Sequence, residues 1–207
     1  TQTADMSVDE SIQLIKGTKG TPVILTIYRE GERGTQDITV VRDTIDIPTI
    51  DTQLRTDGVF VISLYSFSEN APVLFQGALR EFLNTKSDKL VIDLRDNPGG
   101  YLEGAVDIAS WFLPVGEPVV KEGLGNADDY VYRSRGYNVF KDKPVKIVVL
   151  VNGGSASASE ILAGALKESN VATLVGEQTF GKGTVQELIP ITSDTELKIT
   201  VAKWFTP

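Results

Sequence analysis

The chain has 207 residues, 41% of them hydrophobic and 23% charged, the composition of one globular domain with room for part of a second. It contains no Cys and no His, which excludes disulfides, thiol nucleophiles, zinc fingers and any Ser-His-Asp triad. With 20 Lys plus Arg against 28 Asp plus Glu, the net charge is -8 and no dense basic cluster exists, which argues against nucleic acid or an anionic membrane as partner. Acid–base chemistry is left to Lys, Asp, Glu, Tyr or bound water. No apolar run reaches the roughly 18 residues of a transmembrane helix. The chain starts at Thr1 without a signal-peptide pattern and stops after a strand-like run. A fragment is expected, with any targeting segment outside it.

In chain order, residues 1–43 form a small unit. Ser7 and Glu10 have capping-box spacing ahead of Ile12, Leu14 and Ile15, and Gly17 is a stop, which predicts a short helix. Two β-type runs, 23–28 and 37–42, flank the turn-rich stretch 29–34 and predict a hairpin. One helix and one hairpin bury little, so the unit reads as part of a domain. Residues 44–56, poor in apolar side chains and carrying Pro48, read as a linker. From 57 on, strand and helix alternate: a strand at 59–64, a helix capped by Asn70, a buried strand at 90–94, and a helix carrying Leu102, Ala105, Val106, Ala109, Phe112 and Leu113. Residues 115–144 are polar and read as an excursion or lid. The α/β pattern resumes with an apolar strand at 145–151, a helix through Lys167 and a strand at 172–175. Residues 185–189 and 196–205 alternate as β-strands.

Three segments have the residue types of a site. The first, Gly153-Gly154-Ser155-Ala156-Ser157-Ala158-Ser159-Glu160, ends a strand in tiny residues and opens a helix. It suits an exposed serine whose neighbouring N–H groups face a developing oxyanion, or else an ordinary helix cap. The second, Gly176-Glu177-Gln178-Thr179-Phe180-Gly181-Lys182-Gly183-Thr184, nearly matches a phosphate-binding loop. However, Gly183 displaces the metal-binding hydroxyl and a strand follows, not a helix. The third, Asp93-Leu94-Arg95-Asp96-Asn97-Pro98-Gly99-Gly100, lets backbone approach a ligand closely, or is a plain turn with an Asp–Arg pair. Together they allow a histidine-free mechanism. A neutral lysine, Lys182, activates a serine, Gln186 orients the amine, and the N–H of Ala158 with Gly99 or Gly100 forms an oxyanion hole.

In order and spacing these runs, with Ser66-Phe67-Ser68-Glu69-Asn70 and Trp111-Phe112-Leu113-Pro114, resemble the C-terminal processing (tail-specific) serine proteases. The resemblance implies that the nucleophile is the middle serine of the run, Ser157, with Lys182 lying 25 residues on and Gln186 four further. It implies an α/β fold, a crotonase-like protease core with mixed sheet and helices over 57–207, preceded at 1–43 by the helix and hairpin of a partial PDZ domain. It implies an endopeptidase that acts near protein C-termini through an acyl-enzyme and needs no cofactor or metal. Protein or peptide substrates with free tails would bind as an added β-strand, and a homo-oligomer stays open. The expected location is the bacterial envelope, or a plastid lumen. The rival readings are a catalytically silent PDZ-bearing scaffold and, through the 176–182 loop, a nucleotide-binding protein.

Overall fold

The computed structural model describes residues 3, 6, 8–31, 34–44, 48–123, 130–192 and 195–207. The chain divides into two units, Thr1–Ile47 and Pro48–Pro207. The first holds α1 (Val8–Ile15) and an antiparallel hairpin of β1 (Pro22–Tyr28) and β2 (Thr35–Val41). Arg42 ties the helix to the hairpin. Its Nε donates to Ile15 O at 2.6 Å, and its Nη1 donates to Thr21 Oγ1 at 2.9 Å and Pro22 O at 3.1 Å. Ile15 O is a terminal helix carbonyl that no helical N–H can reach, so a cationic donor there satisfies it and suits the negative end of the helix dipole. Ile24, Tyr28 and Val41 stay exposed, in keeping with the thin core expected of this unit. Ser7, half of the predicted capping box, and turn residues 32–33 lie outside the described residues.

The second unit runs β3 (Ile50–Leu54), β4 (Phe60–Leu64), α2 (Ala71–Asn84), β5 (Lys89–Asp93), α3 (Leu102–Ala109), β6 (Pro118–Gly123), β7 (Tyr130–Arg133), β8 (Lys146–Val151), α4 (Ala158–Glu168), β9 (Thr173–Gly176), β10 (Thr184–Pro190) and β11 (Glu196–Phe205). Strands β3-β4-β5-β8-β9 form one sheet in that order, parallel except for the antiparallel pair β3–β4. Strands β10-β11-β6-β7 form a second, wholly antiparallel sheet. The unit is therefore α/β with a mixed sheet and helices.

Three expectations are corrected. The predicted linker contains β3, which runs opposite β4 from Ile50 facing Leu64 to Leu54 facing Phe60. Only Ile50 and Thr52 of this strand turn toward cover, and a mostly polar edge strand leaves a weak hydrophobic trace. Asn70 occupies the cap position of α2 but makes no capping bond. Its backbone is helical (φ -87, ψ -5) and its Oδ1 accepts the Ser68 hydroxyl at 2.7 Å. The third concerns α3, which stops at Ala109, so that Phe112 and Leu113 are buried from the turns beyond it.

The excursion at 115–144 supplies β6 and β7 and also feeds the core; its residues 124–129 are outside the described ones. Phe140 lies 5.4 Å from Phe112 and 5.9 Å from Phe82, which in turn lies 5.5 Å from Phe60 of β4. Such offset and edge-on rings add specificity to the area they bury.

The sheet also positions the three segments. Asp93 ends β5 opposite Leu150, and Val151 ends β8 opposite Gly176 at the end of β9. The loops that follow β5, β8 and β9 therefore leave one carboxyl edge side by side, where parallel sheets open a crevice.

Candidate active site

The turn after β8 is built from small residues and held by side chains that leave one serine hydroxyl without an acceptor among the described residues. Ser155 Oγ donates to Leu94 O at 2.7 Å and accepts Asn152 N–H at 3.0 Å. Ser159 Oγ donates to Asn97 O at 3.0 Å. Both serines are buried, whereas Ser157 is half-buried and, among the described residues, its hydroxyl donates to nothing. In sequence, only the family likeness distinguishes Ser157 from Ser155 and Ser159. The geometry separates them by use. Ser157 sits at the N-cap of α4 with φ 56 and ψ -116, a conformation that costs a non-glycine residue about 1–3 kcal/mol.

The loop after β5 packs onto this turn. Asn152 accepts Asp96 N–H at 2.9 Å and donates to Asp96 Oδ1 at 3.0 Å, and Ala156 N–H donates to Asn97 O at 3.0 Å. The fully buried Asn97 donates to Leu64 O at 2.7 Å and accepts Gly99 N–H at 2.9 Å. The two glycines thereby differ. Gly99 N–H is spent on Asn97, while Gly100 N–H has no partner among the described residues. Gly99 acts by closeness: at φ 95, a Cβ there would lie 2.8 Å from Ser157 Cβ and 2.9 Å from Ala158 N. Gly100, at φ 148, bridges to Phe67 of the chain after β4, whose carbonyl leaves no space for a side chain. Ala158 is buried, and its N–H likewise donates to nothing among the described residues.

Glu160, in the first turn of α4, joins the serine turn to the loop after β9. Its Oε2 accepts Ser157 N–H at 2.8 Å and Lys182 N–H at 3.0 Å, and its Oε1 accepts Thr179 Oγ1 at 2.8 Å and Gly181 N–H at 2.7 Å. Because one oxygen touches both nitrogens, Ser157 N and Lys182 N lie within 5.8 Å of each other, the two bond lengths end to end. That is within the compass of a lysine's four-carbon stem. Among the described residues Lys182 Nζ has no ion pair, and no hydrogen bond joins it to Ser157 Oγ or to Gln186. Gln186 is exposed on β10, opposite Thr200 and just after a bulge.

The likeness of 176–184 to a phosphate loop has a physical cause. The loop does present N–H groups to an anion, but the anion is the Glu160 carboxylate, and β10 follows where a nucleotide site needs a helix. The role of Glu160 was missed in the sequence, although Ser157-x-x-Glu160 has capping-box form at a helix start. Asn97 and Asn152 carried no signal beyond their presence in turns. No group of three or more acidic side chains is placed to hold a metal among the described residues. Beside the site, burial pushes the Asp93 carboxyl up, but the side-chain hydrogen bond, N–H and charge of Arg95 outweigh it and leave the group below the usual carboxylate range.

Residues 58–207 match the description of Peptidase family S41. The carboxy-terminal-processing protease of Bartonella bacilliformis is 38% identical over 210 residues, covering 100% of this chain and 48% of that protein. The carboxy-terminal processing protease CtpA of Bacillus subtilis is 37% identical, covering 97% of this chain and 42% of that protein. The solved photosystem II D1 C-terminal processing protease superposes with a TM-score of 0.72 at 28% identity, over 97% of this chain and 55% of that one. The chain thus spans about half the length of the relatives it matches.

Proposed function

The chain belongs to peptidase family S41, and on that premise we propose that it carries the catalytic core of a serine endopeptidase cleaving protein substrates near their C-termini. The observation that carries this reading is the shared Glu160 oxygen, which holds the Lys182 backbone beside Ser157, whose hydroxyl donates to nothing among the described residues. Ser157 Oγ attacks the scissile carbonyl while neutral Lys182 Nζ takes its proton. The negative oxygen that forms is met by the N–H of Gly100 and that of Ala158. Collapse breaks the C–N bond as Lys182 returns the proton to the leaving amine, giving an acyl-enzyme. Water then attacks the ester with Lys182 again as base, and the serine is released. Gln186 is assigned to orienting the lysine amine. Without substrate such contacts are commonly long and tighten in the complex.

Residues 1–43 are assigned to the closing helix and hairpin of a PDZ domain that engages substrate tails, with the crotonase-like protease core at 57–207. The family likeness supports an extracytoplasmic setting in the bacterial envelope. The test is hydrolysis of a fluorescence-quenched peptide with a free C-terminus, together with labelling by a fluorophosphonate probe. Ser157→Ala is expected to abolish both. Lys182→Arg is expected to abolish turnover, because a guanidinium keeps the charge but cannot serve as a base. Wild-type hydrolysis by either variant overturns the assignment, and an unreactive wild-type protein favours the silent scaffold.

A further inference from the structure

We propose that Glu160 is the positioning residue of this site, setting nucleophile and base relative to each other through one buried carboxylate. The inference rests on the Ser157–Lys182 reading above. Glu160 is 9% exposed and its four partners all donate, which matches a carboxylate's two oxygens and their roughly four acceptor positions. These partners come from two separate pieces of chain. Ser157 lies three residues before it, and Thr179, Gly181 and Lys182 lie 19, 21 and 22 residues after it. A helix cap alone needs only the first of these. The loop bonds do nothing for α4, but they settle where the lysine leaves the backbone. Phe180 N–H to Ser155 O at 3.0 Å adds a second tie between the same segments, on neighbours of the reactive residues and not on the residues themselves.

The loop has reason to depend on this anchor. Gly181, at φ 84, and Gly183 flank the lysine, and a Cβ on Gly181 would meet nothing within 4 Å. A glycine-flanked lysine in open surroundings has little packing of its own to hold it. Its register against Ser157 thus leans on the bonds to Glu160, with Phe180 N–H to Ser155 O and Trp204 N–H to Gly183 O holding the loop on either side of it. A misplacement of about 1 Å between reacting groups is enough to lower a rate by about 100-fold.

The isosteric variant Glu160→Gln replaces one acceptor oxygen by a donor. The Thr179 hydroxyl can turn to accept from it, but the N–H groups of Ser157, Gly181 and Lys182 cannot, so the loop loses its hold on one side. In the full chain, Glu160→Gln is expected to lower kcat on a fluorescence-quenched peptide with a free C-terminus by about 100-fold, with KM within about threefold of wild type. Circular dichroism at the assay temperature is expected to show the native fold. Thr179→Val removes a single bond and is expected to give a smaller fall in kcat, again with KM retained. A purely structural glutamate predicts instead that activity per folded molecule stays at the wild-type level. That result in folded Glu160→Gln overturns the proposal, as does a rise in KM at unchanged kcat. Should Glu160→Gln fail to fold, Thr179→Val decides in the same terms. Ser157→Ala and Lys182→Arg are measured alongside. If they are inactive while Glu160→Gln turns over normally, the positioning role alone falls; if they hydrolyse the peptide, the serine–lysine reading falls with it.

Discussion

Gly99→Ala puts the packing of the serine turn to a direct test. The new methyl carbon would sit 2.6 Å from Ala156 O, 2.8 Å from Ser157 Cβ and 2.9 Å from Ala158 N, all closer than real Cβ contacts come. Two of these three neighbours are backbone atoms in a turn tied to Asn97 on both sides, so no flexible side-chain end can swing away. The φ of 95 adds a strain that glycine does not feel. Left-handed strain of about 1–2 kcal/mol and overpacking of about 1–3 kcal/mol together put the loss of stability at about 2–5 kcal/mol. For a chain of this length each kcal/mol lowers Tm by about 2–4 °C, so a fall of about 4–20 °C is expected. If the turn relaxes by moving Ser157 instead, the melting temperature is spared and the reaction suffers, by about 100-fold for a shift of about 1 Å. Thermal unfolding and the rate of fluorophosphonate labelling, measured on the same sample, read the two routes separately. Wild-type values in both would refute the close approach of Gly99 to the serine.

Ser155→Ala and Ser159→Ala are expected to lower Tm, because each strips hydrogen bonds from buried backbone groups at about 1–3 kcal/mol, yet to keep fluorophosphonate labelling. Labelling lost in either, with the fold intact, would shift the nucleophile away from Ser157. Asn97→Ala orphans Leu64 O and Gly99 N–H in the interior, at about 1–3 kcal/mol for each group. An unchanged Tm would mean that Asn97 does not hold the turn. The Asp93 carboxyl has its folded-state pKa lowered, so it contributes stability that is present above its unfolded value near 3.9 and is lost as pH falls through the folded value. Asp93→Asn should therefore lower Tm at neutral pH and flatten its decline below about pH 4. An acid limb identical to wild type would remove this group from the linkage.

Much of this protein was legible in its residues because its signals are local. The runs that became β4, β5 and β8 are short and apolar, α2 and α4 follow helical spacing, and Gly-rich breaks separate them. What failed were features whose cause lies elsewhere in the chain. Ile50 and Thr52 become strand only because β4 offers an open edge. Asn70 does not cap α2 because its carbonyl-type oxygen is taken by Ser68. Phe140, in a stretch read as a lid, packs against the core because Phe82 and Phe112, from α2 and the turn after α3, offer it ring surface.

The same division runs through the site. Absence of His and Cys, a serine in a turn of tiny residues and a glycine-flanked lysine allowed a serine–lysine chemistry, since composition limits which groups can move a proton, and the family likeness assigned it to Ser157 and Lys182. Sequence could not say which glycine keeps a free N–H, or which serine hydroxyl stays uncommitted. Nor could it say what anion the loop after β9 holds. Those depend on hydrogen-bond partners 33 to 62 residues away for Asn97, Ser155 and Ser159, and 19 to 22 for Glu160. A donor has few bonds to give, and only tertiary structure decides where they are spent.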